Sequence, residues 1–209
     1  MVKYKAKNYE HLFGVNGFSK ELLQNHFTLY QGYVNNTNTI HETLTNLIKE
    51  GKTGTREYQE LRKIFGWEFN GMRLHELYFG NMTQKGVKCE RTSPLFKKVC
   101  DDFGSWENWE KDFKAIGMTR GIGWIVLYYD PEANCFFNTW ISEHDGGHLC
   151  CAYPVLVMDV FEHAFMLDYG LKRADYIESF FNAINWSEVA SRFDCAVKTG
   201  QTFVTTCCK

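Results

Sequence analysis

The sequence predicts an α+β fold in two parts: an N-terminal antiparallel helical hairpin, then a C-terminal domain with a three-stranded antiparallel sheet flanked by helices. Three observations carry this reading. Apolar residues recur at helical spacing through the N-terminal part. Three short runs between Trp124 and Met158 are rich in aromatic and β-branched side chains. Helical spacing then returns from Arg173 onward. The boundary falls in the polar, Lys-rich stretch from Gly80 to Ser93, giving domains of residues 1–88 and 89–209.

The first helix starts at Ser19, whose hydroxyl suits an N-cap. Leu22, Leu23, His26, Phe27, Tyr30, Tyr33, Val34, Ile40, Leu44, Leu47 and Ile48 follow on one face, and Gly51 ends it. A Gly/Thr turn to Thr55 reverses the chain. A second helical stretch runs through Tyr58, Leu61, Ile64 and Phe65 and resumes as Met72, His75, Tyr78 and Phe79. Ser93 and Ser105 cap two shorter helices, Pro94 to Phe103 and Trp106 to Ile116. Trp124–Tyr129 and Cys135–Ile141 flank Asp130-Pro131-Glu132-Ala133-Asn134 and read as a hairpin. Pro154 to Met158 is the third strand; Arg173 to Ile184 and Trp186 to Phe193 are the closing helices.

Composition narrows the function. The 209 residues are 44% apolar and 16% aromatic, ample for a dry core, and only three prolines interrupt helix formation. A net charge of −2 leaves no basic footprint for nucleic acid and no polybasic run for a membrane surface. No apolar run approaches the ~20 residues of a membrane span. The polar stretch from Met1 to Leu12 lacks the apolar segment of a signal peptide, so a cytoplasmic location is expected. Eight cysteines occur without a Cys-x-x-Cys motif, and the expectation is reduced thiols; Cys207-Cys208 is either a plain pair of thiols or a soft-metal or oxidation site.

Metal-ligating residue types appear at several places. Asp159 and His163, four apart after the third strand, offer a carboxylate and an imidazole that suit iron or manganese. The same spacing also fits a buried, hydrogen-bonded His beside a solvated acid. His26 and His75 sit on the apolar faces of the two hairpin helices, either as core histidines or with a shared role. His144 and His148 form a His-x-x-x-His pair across two glycines, which marks a loop more than a metal pair.

Several of these segments together resemble a known family. Asp159-Val-Phe-Glu162-His163-Ala-Phe-Met-Leu-Asp-Tyr169, Arg173-Ala-Asp-Tyr-Ile177 and Asn185-Trp186 are similar to the C-terminal signature of iron/manganese superoxide dismutases. Asp102-Phe-Gly-Ser105 with Trp109 and Phe113, Gly121-Ile-Gly-Trp124, Phe69 to Phe79 and His26 to Asn38 resemble its other landmarks, in family order. The resemblance implies a superoxide dismutase that converts superoxide to dioxygen and hydrogen peroxide. It implies one iron or manganese ion per chain, iron ahead of manganese, held by His26, His75, Asp159 and His163 with solvent as a fifth ligand. Tyr33, His144, Trp124 and Glu162 are then the further active-site residues, and a homodimer is expected in which Glu162 meets the partner's ligand histidine. The alternative is a metal-binding relative without turnover.

The departures from the family pattern are specific. Gly71 stands where some members place a Gln near the bound solvent, and His144 stands at the other such position, as a substitute donor. The first helix is one residue shorter between His26 and Tyr33, which predicts a regular α-helix there, with Tyr33 at the pocket mouth and Tyr30 packed nearby; Tyr30 in place of Tyr33 is the alternative. Phe161 replaces a Trp and Met166 a Tyr.

Overall fold

A computed structural model describes residues 3–207, with side chains through Gly200. After a 3-10 turn (Glu10–Leu12) comes helix α1 (Lys20–Lys49), capped by Ser19, whose hydroxyl accepts from Leu22 N at 3.0 Å. Helix α2 (Arg56–Gly80) returns antiparallel after the Gly/Thr turn, capped in the same way by Thr55. The sequence pattern divides this helix in two, yet it runs unbroken. Gly66 costs about 1 kcal/mol of helix propensity, but Met72, Leu74, Tyr78 and Phe79 are buried beyond it, each contributing ~1.5–3 kcal/mol.

Residues 81–93 are a pinned connection rather than a free linker. Thr83 N donates to Ala183 O and Val87 N to Ile184 O, both at 2.9 Å. Helices α3 (Pro94–Phe103) and α4 (Trp106–Gly117) follow, with Ser93 and Ser105 as their caps. Strands β1 (Gly123–Asp130), β2 (Cys135–Ser142) and β3 (Tyr153–Asp159) form one antiparallel sheet in the order β2-β1-β3. The central strand β1 is buried almost throughout, which explains its unbroken apolar run. Its register sets Trp124 opposite Asp159 on one side and Ile141 on the other.

After β3 come a 3-10 turn (Glu162–Ala164), a short helix α5 (Met166–Tyr169), α6 (Arg173–Ala183) and α7 (Trp186–Cys207). Helix α7 runs past Phe193, the end expected from sequence, because Ala196 continues the buried face of Val189 and Phe193. The Cys207-Cys208 reading lies outside the described side chains. Among the described residues no helix is long and apolar enough to cross a membrane. The core joins both halves: α2 packs on β3, and the functional residues lie at that junction.

Candidate metal centre

Helix α1 presents His26, α2 presents His75, β3 ends on Asp159, and the 3-10 turn presents His163. One ligand-type atom from each falls within 4.8 Å of all the others. Asp159 Oδ2 is the hub, 3.1 Å from His26 Nε2, 3.3 Å from His163 Nε2 and 3.8 Å from His75 Nε2. His26, His75 and Asp159 are buried, and His163 is partly so.

Asp159 is fixed from behind. Phe161 N donates to its Oδ1 at 2.8 Å, which leaves Oδ2 for the imidazoles. The Tyr176 hydroxyl of α6 donates to its carbonyl at 2.5 Å, and Tyr78 of α2 meets Tyr176 Oη at 3.1 Å. Burial by itself pushes the Asp159 pKa up, but the facing His163 and His26 imidazoles outweigh it and hold the carboxyl far below the usual range. Burial pulls His26 and His75 below the ordinary imidazole range, His75 strongly. His26 and His75 are therefore neutral imidazoles beside one ionised carboxylate.

His75 supplies the test of whether a cation fits. Its Nδ1 lies 2.6 Å from Gly71 O; a carbonyl only accepts, so the proton sits on Nδ1. Its Nε2 is then a bare lone pair, buried and without a hydrogen-bond partner. Such an orphan is costly in a packed interior unless something electrophilic faces it. With metal–ligand bonds of ~2 Å, ligand atoms this close together surround the space of one ion. Three imidazoles and a carboxylate suit iron or manganese. The residues fit.

Comparison with known proteins points the same way. The pattern for iron/manganese superoxide dismutases, C-terminal domain, matches residues 91–192. Superoxide dismutase 2 (Mn) of Haloferax volcanii is 36% identical over 177 residues, 85% of this chain and 87% of that one. The iron superoxide dismutase of Aquifex pyrophilus is 35% identical over 202 residues, 93% and 94% of the two chains. The chain belongs to the iron/manganese superoxide dismutase family. Similarity to proteins named for either metal leaves the family's two metals on an equal footing here.

In this family member the residues around the pocket divide by position. Helix α1 is α-helical throughout, so Tyr33, seven residues after His26, comes back to the same face. Its ring stacks on His75 (5.1 Å, 29°) and its hydroxyl lies 2.8 Å from His144 Nε2. Tyr30 turns away: its hydroxyl donates to Glu76 at 3.1 Å and accepts from Lys7 N. Trp124 donates its indole N–H to His144 Nδ1 at 3.0 Å. His144 is fully buried despite its loop position. Glu162 is exposed at the start of the 3-10 turn, next to His163.

The departures from the dismutase pattern acquire reasons. A Cβ on Gly71 would sit 2.7 Å from the Tyr33 ring, so any side chain there displaces Tyr33. Phe161 stacks on His144 (4.8 Å, 26°) and on His163 (5.1 Å, 21°), filling the pocket wall. His144 and His148 do not form a metal pair, because both ring nitrogens of His148 are engaged by Tyr128 and by the His144 carbonyl. Sequence reasoning missed Tyr176 and Tyr78 as the anchors of Asp159, although Tyr176 lies within a segment carrying the family resemblance. It also missed Trp67, which packs on His144 at 4.5 Å and donates to Glu143 at 3.1 Å.

Proposed function

We propose that one iron or manganese ion sits among His26, His75, Asp159 and His163, and that the protein there converts superoxide to dioxygen and hydrogen peroxide. The observation that carries this is the meeting of three imidazoles on one ionised carboxylate, with His75 Nε2 buried and unpartnered. When bound, the ion supplies one-electron redox chemistry between its +3 and +2 states. The order of iron ahead of manganese is a proposal that rests on the sequence resemblance alone, and the metal analysis below tests it.

The chain's own residues shape and protonate the pocket. Tyr33, Trp124 and Phe161 wall it with aromatic surface, which restricts entry to a small species. His144 Nδ1 accepts a hydrogen bond from the Trp124 indole N–H, and burial lowers the His144 pKa to about 4, so the ring is neutral with its proton on Nε2. That proton is donated to Tyr33 Oη. The Tyr33 O–H is thereby left free to donate to an oxygen anion entering the pocket. Burial raises the Tyr33 pKa, so the hydroxyl keeps its proton near neutrality. Each peroxide needs two protons from such groups and from water.

The remaining parts of the proposal rest on smaller observations. Exposure of Glu162 beside His163 supports a two-fold dimer in which Glu162 accepts from the partner's ligand histidine and raises its basicity. Free thiols at Cys89, Cys100, Cys135, Cys150, Cys151 and Cys195 support a reducing, cytoplasmic location. The division into residues 1–88 and 89–209 gives each unit two of the four ligands. The deciding experiment measures metal content of the native protein together with superoxide consumption per metal. Metal-loaded protein without superoxide consumption overturns the activity, and activity without bound metal overturns the site.

A further inference from the structure

His148, four residues after His144, joins the His144 loop to strand β1. Its Nε2 lies 2.9 Å from the His144 carbonyl oxygen, which only accepts, so Nε2 carries the proton. Nδ1 of the neutral ring is then a lone pair, and the Tyr128 hydroxyl, 2.8 Å away, donates to it. The Asn70 amide of α2 borders the same ring edge, 3.4 Å from Nε2. One imidazole thus ties β1 to the loop that carries His144, while the Asn70 amide nitrogen, itself a donor, makes no bond to the protonated Nε2.

That loop needs a tie. Two backbone hydrogen bonds, Ser142 N to Gly146 O at 2.7 Å and Gly146 N to Ser142 O at 3.1 Å, close its base. Glu143 sits at φ +50° and Gly147 at φ +104°, conformations that L side chains rarely adopt. From this irregular turn the His144 ring enters the core and meets Trp124 at 3.0 Å and Tyr33 at 2.8 Å. Hydrogen bonds weaken steeply when distance or angle slips, so the ring's direction must be held from its backbone.

We propose that His148 is a positioning residue: by holding the His144 carbonyl from a ring fixed by Tyr128, it directs the His144 ring onto Tyr33. For its effect on rate this rests on the dismutase reading of the pocket. The alignment of His144 with Trp124 is measurable without that reading.

The test uses the full chain with His148→Ala, His148→Gln and Tyr128→Phe, and takes His144→Ala as the reference for a lost contact. In metal-free protein the Trp124 indole N–H, assigned through Trp124→Phe, reports the bond to His144 by nitrogen-correlated NMR. His148→Ala and Tyr128→Phe are expected to move that resonance toward its position in His144→Ala. In metal-loaded protein His148→Ala keeps wild-type metal content, shifts the midpoint potential in the same direction as His144→Ala, and loses about tenfold in rate per metal. His148→Gln, which retains an N–H donor, recovers part of both. Where His148→Ala does not fold, Tyr128→Phe reads the same resonance with only a hydroxyl removed. An unchanged Trp124 resonance in every folded variant overturns the proposal, as does a loss of thermal stability with resonance and potential unmoved. A resonance shift in the variants, together with a metal-loaded wild type that consumes no superoxide, overturns the dismutase reading and leaves the positioning role standing.

Discussion

Trp124 donates its indole N–H to His144 Nδ1, and that single bond decides which nitrogen of His144 faces Tyr33 as a donor. An indole cannot accept, so the neutral imidazole must carry its proton on Nε2. The register of the sheet puts the same tryptophan opposite Asp159, so one strand position serves both the carboxylate and the proton-bearing side of the pocket. Trp124→Phe removes the donor and keeps most of the ring. It is predicted to retain metal while losing about tenfold or more in dismutation, read as rate per metal in stopped flow. An unaltered rate with normal metal content counts against the role of this bond.

Asp159 is the only anion among the four converging side chains. Removing it leaves a cation under-neutralised among buried groups. Asp159→Ala and His75→Ala are predicted to be isolated without bound metal and without activity, by elemental analysis beside the rate assay. Either variant with full occupancy and full rate removes that residue from the ligand set.

His26, His75 and His144 lie below the ordinary imidazole range, mainly because of burial, and His144 at about 4. Unfolded imidazoles titrate near ~6.5. Between the folded and unfolded values the unfolded chain holds more protons, so stability rises with pH across that window. For the metal-free protein, stability is full above about 6.5 and is lost as pH falls toward the folded values. His144 alone contributes a slope of about 1.4 kcal/mol per pH unit. His144→Gln is predicted to flatten the dependence by that amount, measured as urea unfolding free energy between about pH 7 and about pH 5. A slope identical to wild type places the His144 proton elsewhere.

Gly71 and Tyr33 share one space. A Cβ at residue 71 would sit 2.7 and 2.9 Å from two atoms of the Tyr33 ring. Overpacking of this kind costs ~1–3 kcal/mol. Gly71→Ala is predicted to lower Tm and to reduce dismutation, because Tyr33 must leave His144. Tyr33→Phe keeps the ring, so it should reduce the rate with little change in Tm. Wild-type Tm and rate in Gly71→Ala would show that Tyr33 yields without consequence.

Glu162 tests the assembly. Its carboxylate is exposed in the single chain and adjoins His163. Glu162→Ala is predicted to weaken dimerisation and metal retention together, by sedimentation velocity at micromolar protein and by metal analysis. A wild-type protein that is monomeric and fully active under those conditions excludes the paired arrangement.

Much of this molecule is legible along the chain. Apolar spacing gives α1 and α2, Ser19 marks the start of the first, and β-branched runs give the sheet, because these patterns depend on local backbone geometry. The candidate ligand residue types and their order are equally visible, as is the regular turn of helix from His26 to Tyr33. Residues 81–93 looked like a linker because polar composition does not show that Thr83 and Val87 bond to a segment about 100 positions away.

What only the tertiary structure decided is how side chains from distant segments meet. His26 and Asp159 are 133 residues apart, and Tyr33 and His144 are 111 apart, yet each pair is in direct contact. The choice of Tyr33 over Tyr30 came from Glu76 capturing the Tyr30 hydroxyl, and the tautomer of His144 came from Trp124. That His148 belongs to a loop was legible from the two glycines, but that Tyr128 and the His144 carbonyl take both its nitrogens was not. Sequence periodicity records which face of an element is buried. The direction of a hydrogen bond depends on the one partner that packing brings within ~3 Å, and the sequence alone carries no record of that partner.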